Sequence, residues 1–204
     1  MKKYIKAISE LNTLTLSTKE DEVNRYSESD IYWVKNKTGK YVNRIIKKGD
    51  IFQFEFGKNY VPEMSYEHRG MVIGTSGRLV YVLPIFSYDA TKYVNKPPCH
   101  IVDNPMGKSD YYLLKKSEFP FLAHDSLVKL NDIRTVSSLR IKYSHSSRIA
   151  PNTDTYKFIE KNTFSKYFGN FAYEYEKIKE ERDTIKKELE KLKKENEKLK
   201  AQIS

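Results

Sequence analysis

The chemistry available to this chain starts from its histidines. His68, His100, His124 and His145 are the four side chains that titrate near neutral pH. His68 stands beside Arg69 and His124 beside Asp125, so a proton carrier sits next to a cation in one case and a carboxylate in the other. His68 also closes a loop that opens at Gly57, and loops commonly carry function. His100 lies in the apolar run Cys99-His100-Ile101-Val102 and reads as a satisfied core residue. The one cysteine, Cys99, excludes an intrachain disulfide. Neither a Cys/His cluster nor an HxxxH pair is present to hold zinc, so no cofactor is predicted, although magnesium held by carboxylates stays open. Of sixteen tyrosines, Tyr60, Tyr66, Tyr88 and Tyr93 fall in loop-like sequence, where a ring can stack on an unpaired base.

The elements that position these groups separate by charge. The chain has 204 residues, with 37 Lys+Arg against 27 Asp+Glu, a formal charge of +10. Residues 1–48 contribute +5, residues 49–156 contribute +2 and residues 157–204 contribute +3. A basic balance permits a polyanionic partner. The middle part holds most of the aromatic and β-branched residues and nearly all the Gly and Pro, the composition of strands joined by turns. This predicts three segments: a helical N-terminal extension over 1–48, a β domain over 49–153, and a helix with a coiled coil over 154–204. The longest mostly apolar stretch, about Leu79 to Phe86, is too short to span a bilayer, and the Met-Lys-Lys start lacks an apolar signal region. A soluble, cytoplasmic protein with no membrane partner is expected.

In the first segment, Tyr4, Ile5, Ala7, Ile8 and Leu11, then Val23, Tyr26, Ile31 and Val34, recur at helical spacing. Thr18 ahead of Lys19-Glu20-Asp21-Glu22 is a candidate N-cap for the second helix, and Asn36-Lys37-Thr38-Gly39 a turn after it. The pair reads as a helical hairpin covering one edge of the core, or as a basic arm for RNA. In the third segment, Phe171, Ile178, Ile185, Leu192 and Leu199 recur every seven residues, as do Tyr175, Arg182, Leu189, Asn196 and Ile203 four residues on. That is a heptad with the first set at d and the second at a. Asn196 at an a position favours a parallel two-stranded pairing, because its amide is matched only by its mate. Ile178, Ile185, Leu189, Leu192, Asn196 and Leu199 are therefore predicted to make a homodimer; the alternative is a solvated single helix.

In the middle segment, Asp50–Phe56, Met71–Ile73, Leu79–Leu83, Cys99–Val102, Tyr111–Leu114, Ser126–Leu130 and Leu139–Tyr143 read as strands. Gly74-Thr75-Ser76-Gly77 is expected to turn between the second and third, and Pro84 to end the third or place it at an edge. Many short strands separated by turns indicate a small, mainly antiparallel β barrel.

Five blocks in order carry a family resemblance. They are Gly49-Asp50-Ile51 leading to Phe56-Gly57; His68-Arg69-Gly70-Met71-Val72-Ile73; Val80-Tyr81-Val82-Leu83-Pro84-Ile85-Phe86-Ser87; Pro98-Cys99-His100-Ile101; and Asp125 through Val136 with Leu139-Arg140. Together they resemble the PemK/MazF family of toxin endoribonucleases, over the middle half of the chain. The resemblance implies a PemK/MazF/CcdB-like barrel that dimerises and cleaves single-stranded RNA without metal, by attack of the ribose 2′-hydroxyl on the adjacent phosphate. It also implies a cognate antitoxin protein, with DNA bound only through an antitoxin complex. Such chemistry needs a proton acceptor, a proton donor and a cation facing the crowded phosphorane.

By this resemblance Arg69 is the charge stabiliser, since its guanidinium holds two phosphate oxygens, and Ser87 a proton donor or phosphate ligand. Lys129 falls where some members carry a second arginine, and Asn131 where they carry an acid. Arg134 is either an RNA contact or a structural arginine paired across the barrel or at an interface, and Tyr66 is a candidate base-stacking residue. The chain departs from the pattern at Gly70, where proline is common, and at Phe86, where threonine is common. A histidine pair, His68 with His124, is the candidate to replace the missing hydroxyl and acid, His68 being the stronger of the two for a catalytic or RNA-contacting role. Two functions follow: a type II toxin endoribonuclease, or a barrel that binds RNA or a protein partner without catalysis.

Overall fold

A computed structural model describes residues 2–39 and 45–203. Residues 40–44 of the basic N-terminal segment lie outside it. The chain forms two compact units, Met1–Ile159 and Glu160–Ser204. Among the described residues no helix is long and apolar enough to cross a membrane.

The first unit opens with helices α1 (Lys2–Ser17) and α2 (Glu20–Asn36). Glu20, Asp21 and Glu22 stand in the first turn of α2, where the helix dipole favours negative charge. Thr18 does not cap it. Its hydroxyl donates back to the Leu14 carbonyl at 2.7 Å, finishing α1, and the capping position falls on Lys19, whose side chain makes no cap bond. α2 seats on the β structure: the buried Ser29 hydroxyl donates to Glu55 at 3.0 Å, and the Tyr32 hydroxyl donates to the Leu139 carbonyl at 2.8 Å. α1 buries no residue. Of the expected hairpin, only its second helix therefore covers the core.

Seven strands follow: β1 (Asp50–Glu55), β2 (Glu67–Ser76), β3 (Leu79–Ser87), β4 (Tyr111–Leu114), β5 (Ser126–Lys129), β6 (Arg134–Ser137) and β7 (Ile141–Arg148). All pair antiparallel, in the order β4-β5-β3-β2-β1-β7 with β6 also on β3. The recorded pairs do not close this sheet into the expected barrel. The outer edge of β3 is shared instead, β6 taking Leu79–Val82 and β5 taking Ile85–Ser87.

That split explains Pro84, which sits between the two partner segments rather than ending the strand; there its missing N–H leaves no ladder bond unmade. β2 runs on through Ser76, so the hairpin turn is Gly77-Arg78. The expected strand at Cys99–Val102 reduces to two isolated bridges, Cys99 with Tyr112 and His100 with Asn104. The Leu139 region begins with a 3-10 turn, Ser138–Arg140, before β7.

Successive strand residues point to opposite faces, and both faces of this sheet are buried. On one, Ile51, Met71, Leu83, Ile85, Val128 and Leu130 pack with Tyr156 and Ile159. On the other, Phe52, Phe54 and Phe56 pack with Val72, Val80, Val82 and Val136. Gly70 is explained here: a Cβ on it would stand 2.3 Å from Val82 Cγ1 and 2.9 Å from the Phe54 ring. The aromatic layer of β1 takes the space that a larger residue would fill.

In the second unit, α4 (Gly169–Ile203) follows the end of α3 (Asp154–Tyr167). Lys161 pairs with Glu176 at 3.0 Å, and Phe164 touches Phe168 and Phe171, with ring centroids 5.0 and 6.1 Å apart. Further along, Ile178, Ile185, Leu189, Leu192 and Leu199 are each more than half exposed, and Asn196 is exposed.

Candidate active site

The register of β1, β2 and β3 builds the site. Gln53 stands opposite Arg69, and Arg69 opposite Ile85. Ser87 is two residues beyond Ile85 and on its face, so Arg69 and Ser87 are diagonal neighbours with Cα atoms about 7–8 Å apart. A guanidinium on a flexible stem reaches across that interval. Phe86, the departure from the family pattern, points to the other face and meets the Tyr111 ring edge-on at 5.7 Å.

Ser87 has a partner. His124 Nε2 lies 2.7 Å from its hydroxyl. The loop carrying His124 is fixed by the Ser126 hydroxyl donating to the His124 carbonyl at 3.1 Å, and by Tyr88 N–H donating to the Asp125 carbonyl at 3.0 Å. The Asp125 carboxylate accepts from Lys116 N–H at 2.8 Å, so it braces the loop and does not engage the histidine.

A second histidine stands on the other side of Arg69. β7 lies against β1 with Tyr143 opposite Gln53, and His145 Nε2 donates to Gln53 Oε1 at 2.9 Å. That bond puts the ring proton on Nε2 and leaves Nδ1 as the acceptor. Burial lowers the pKa of His145 from its ordinary 6.5, and the Arg69 charge lowers it further against the opposing pull of Glu67. His145 is therefore neutral at pH 7. Tyr143 meets its ring edge-on at 5.3 Å. Glu67 is held by Lys142; burial works to lower the Lys142 pKa, and the ion pair outweighs it and raises it.

The remaining expected residues divide sharply. His68 is adjacent to Arg69 in sequence, but it pairs with Phe54 and so leaves the strand on the opposite side. It borders a cavity of about 400 Å³ beneath α2, with Arg25, Glu28, Gln53, Glu55, Tyr66 and Glu67. Burial, then Arg25, lowers its pKa, against Glu67. Gln53, which stands opposite Arg69, lines the same cavity, so His68 shares that neighbour with Arg69 although strand alternation turns it from the Ser87 side. Tyr66 has φ +62, and its ring lies 5.5 Å from Tyr26 of α2, so it packs against protein.

Lys129 is buried, donating to the Pro62 carbonyl and paired with Asp132 at 3.3 Å. Arg134 pairs with Glu63 at 3.3 Å and Asp132 at 3.4 Å and donates to the Met64 carbonyl at 3.1 Å. Asp132 also accepts from Met64 N–H at 2.9 Å. Lys129, Asp132 and Arg134 thus hold the segment around Pro62–Met64, and Arg134 takes its structural alternative. Asn131 is exposed just beyond β5. Among the described residues no group of three or more His, Cys, Asp and Glu side chains is arranged to hold a metal ion.

No family model and no curated protein matches this chain. The site must be read from its own geometry. His145 and Gln53 are the participants that sequence alone does not single out, because the bond joining them spans 92 residues. The available signal was alternation: Tyr143 and His145 stand two apart in β7, so they share a face.

Proposed function

We propose that this protein is a metal-independent endoribonuclease of the PemK/MazF type, acting on single-stranded RNA as the toxin of a type II toxin-antitoxin pair in the cytoplasm. On this reading the sheet is the family's barrel, with its seam where β5 and β6 share β3. One observation carries the proposal: Arg69 and the Ser87–His124 pair share a sheet face, with the neutral His145 beside Arg69.

Each group has a role in strand scission. Nδ1 of His145 accepts the proton of the ribose 2′-hydroxyl as its oxygen forms a bond to phosphorus. Arg69 faces the non-bridging oxygens of the phosphorane, where a second negative charge develops. The bond from phosphorus to the 5′ oxygen breaks, and the His124–Ser87 pair supplies the proton that makes a 5′-hydroxyl. The other product is a 2′,3′-cyclic phosphate. Gln53 is a positioning residue that fixes the His145 tautomer. A cognate antitoxin would neutralise the enzyme by laying an acidic segment over Arg69.

The test is incubation of the purified chain with a long RNA in EDTA, with the new ends mapped. Discrete cleavages that leave 5′-hydroxyl and cyclic phosphate ends, lost in Arg69→Ala, are expected. Intact RNA, or cleavage unchanged in Arg69→Ala, overturns the reading. The second reading, a non-catalytic module binding RNA or protein, is favoured by Phe86, which is committed to Tyr111 where the family has a hydroxyl. RNA bound but uncut, with Arg69→Ala reducing the binding, would select it.

A further inference from the structure

α4 carries a second pattern beside its apolar seam. Each d residue from Ile178 on is followed by a lysine, Lys179, Lys186, Lys193 and Lys200, which are the e positions. Each a residue from Tyr175 to Asn196 is preceded by a glutamate, Glu174, Glu181, Glu188 and Glu195, which are the g positions. The two flanks of the exposed seam are therefore of uniform and opposite charge through four heptads.

In a parallel, in-register pair each g residue faces the e residue five positions on in the other helix. Glu174 then meets the partner's Lys179, Glu181 the partner's Lys186, Glu188 the partner's Lys193 and Glu195 the partner's Lys200, and each contact occurs twice. An antiparallel pair instead sets glutamate flank on glutamate flank and lysine on lysine. The seam agrees with the flanks. Ile178, Ile185 and Leu192 are 64%, 64% and 62% exposed, a continuous apolar strip that no described residue of the unit covers. Asn196 sits at an a position, where its amide is satisfied by the same residue of a parallel partner. Arg182, the other polar a residue, brings its own counterion, bonded to Asp183 at 2.8 Å.

We infer that α4 is a self-recognition element, and that its occupant is the same helix of a second copy, parallel and in register. Charge complementarity decides this against other occupants: the flanks match themselves in one orientation only. Helix axes in such a pair lie about 8–10 Å apart, so the two Gly169 ends are held together and both copies of the preceding unit are tethered at one end of the coil. The inference is independent of the ribonuclease reading, because none of its residues belongs to the site.

The full chain carrying Asn196→Cys tests it, with the wild type as control because its one cysteine, Cys99, is buried. In a glutathione redox buffer the variant should convert almost completely to a disulfide-linked dimer, at least tenfold above the control. In an antiparallel pair centred on the same seam, residue 196 would lie about 27 Å from its mate and no link would form, which would overturn the inference. A second variant, with Glu181→Lys, Glu188→Lys and Glu195→Lys, should dimerise at least tenfold more weakly at low salt. Adding Lys186→Glu, Lys193→Glu and Lys200→Glu should restore dimerisation. A triple variant as dimeric as the wild type, or a monomeric wild type, would equally overturn it.

Discussion

Two basic constellations lie within one sheet, and they differ in what surrounds the charge. Lys129 and Arg134 are spent internally: Asp132, Glu63 and the Pro62 and Met64 carbonyls take their donors. Arg69 stands on the other side of β2 and β3, opposite the Gln53 amide and on the face that carries Ser87, and the carboxylate of that face, Glu67, is held by Lys142. Residue type is the same in both places, and the availability of the charge is not. The formal charge of +10 marks neither place, since 8 of it lies outside residues 49–156.

The comparison is broken most directly by exchanging the fates of the two sites. Arg69→Ala should lower single-turnover RNA cleavage by about 10²–10³-fold, the usual cost of removing one donor to a developing oxyanion, with a thermal melt near that of wild type. A large loss of stability would instead make Arg69 a structural residue like Arg134. Asp132→Ala should do the reverse. It strands the buried Lys129 ammonium and should cost about 3 kcal/mol in urea unfolding, while the molecules still folded cleave RNA at a normal rate. A change within about 0.5 kcal/mol, the usual size for a surface substitution, would show that the Lys129 network supports nothing.

What was legible in the sequence depended on range. The 35-residue α4 and its heptads are local, because every contact that repeats them is three or four residues away. Strands β1 to β5 were readable as short apolar and β-branched runs bounded by turns. The lost strand at Cys99 shows the limit: an apolar run needs a neighbour along its whole length, and here Tyr112 and Asn104 offer single bridges. The site was half legible. Arg69 and Ser87 lie in neighbouring strands joined by a short hairpin, whereas His145 meets Gln53 across 92 residues. His68 shows the converse: adjacency to Arg69 along the chain means opposite faces in a strand, and the two are linked instead through Gln53, which lines the His68 cavity and stands opposite Arg69. Thr18 failed as a cap because α1 still had an open carbonyl for its hydroxyl.

The role of His145 sharpens the comparison by a smaller effect. His145→Gln keeps a side-chain amide beside Gln53 but removes the base, so cleavage should fall about 10²-fold. In the wild type the base must be unprotonated, and its pKa is lowered from 6.5 by burial and Arg69. The acid limb of the rate profile should therefore lie below pH 6.5 and fall about tenfold per pH unit, and it should vanish in the variant. Persistence of that limb would assign it elsewhere.

The smallest effect separates His68 from this site. Its folded pKa is also lowered, by burial and then Arg25, so the unfolded chain binds the proton more tightly. Stability at pH 8 should thus be complete as far as this group is concerned, decline as pH falls below the unfolded value near 6.5, and level off beneath the lower folded value. His68→Gln should flatten the part of this decline that belongs to His68, read as urea midpoints between pH 5 and 8, while leaving the acid limb of cleavage in place. If the acid limb disappeared with His68 and stayed with His145, the two histidines would have to exchange roles, and the face of β2 that carries Arg69 would no longer be the side on which RNA is cut.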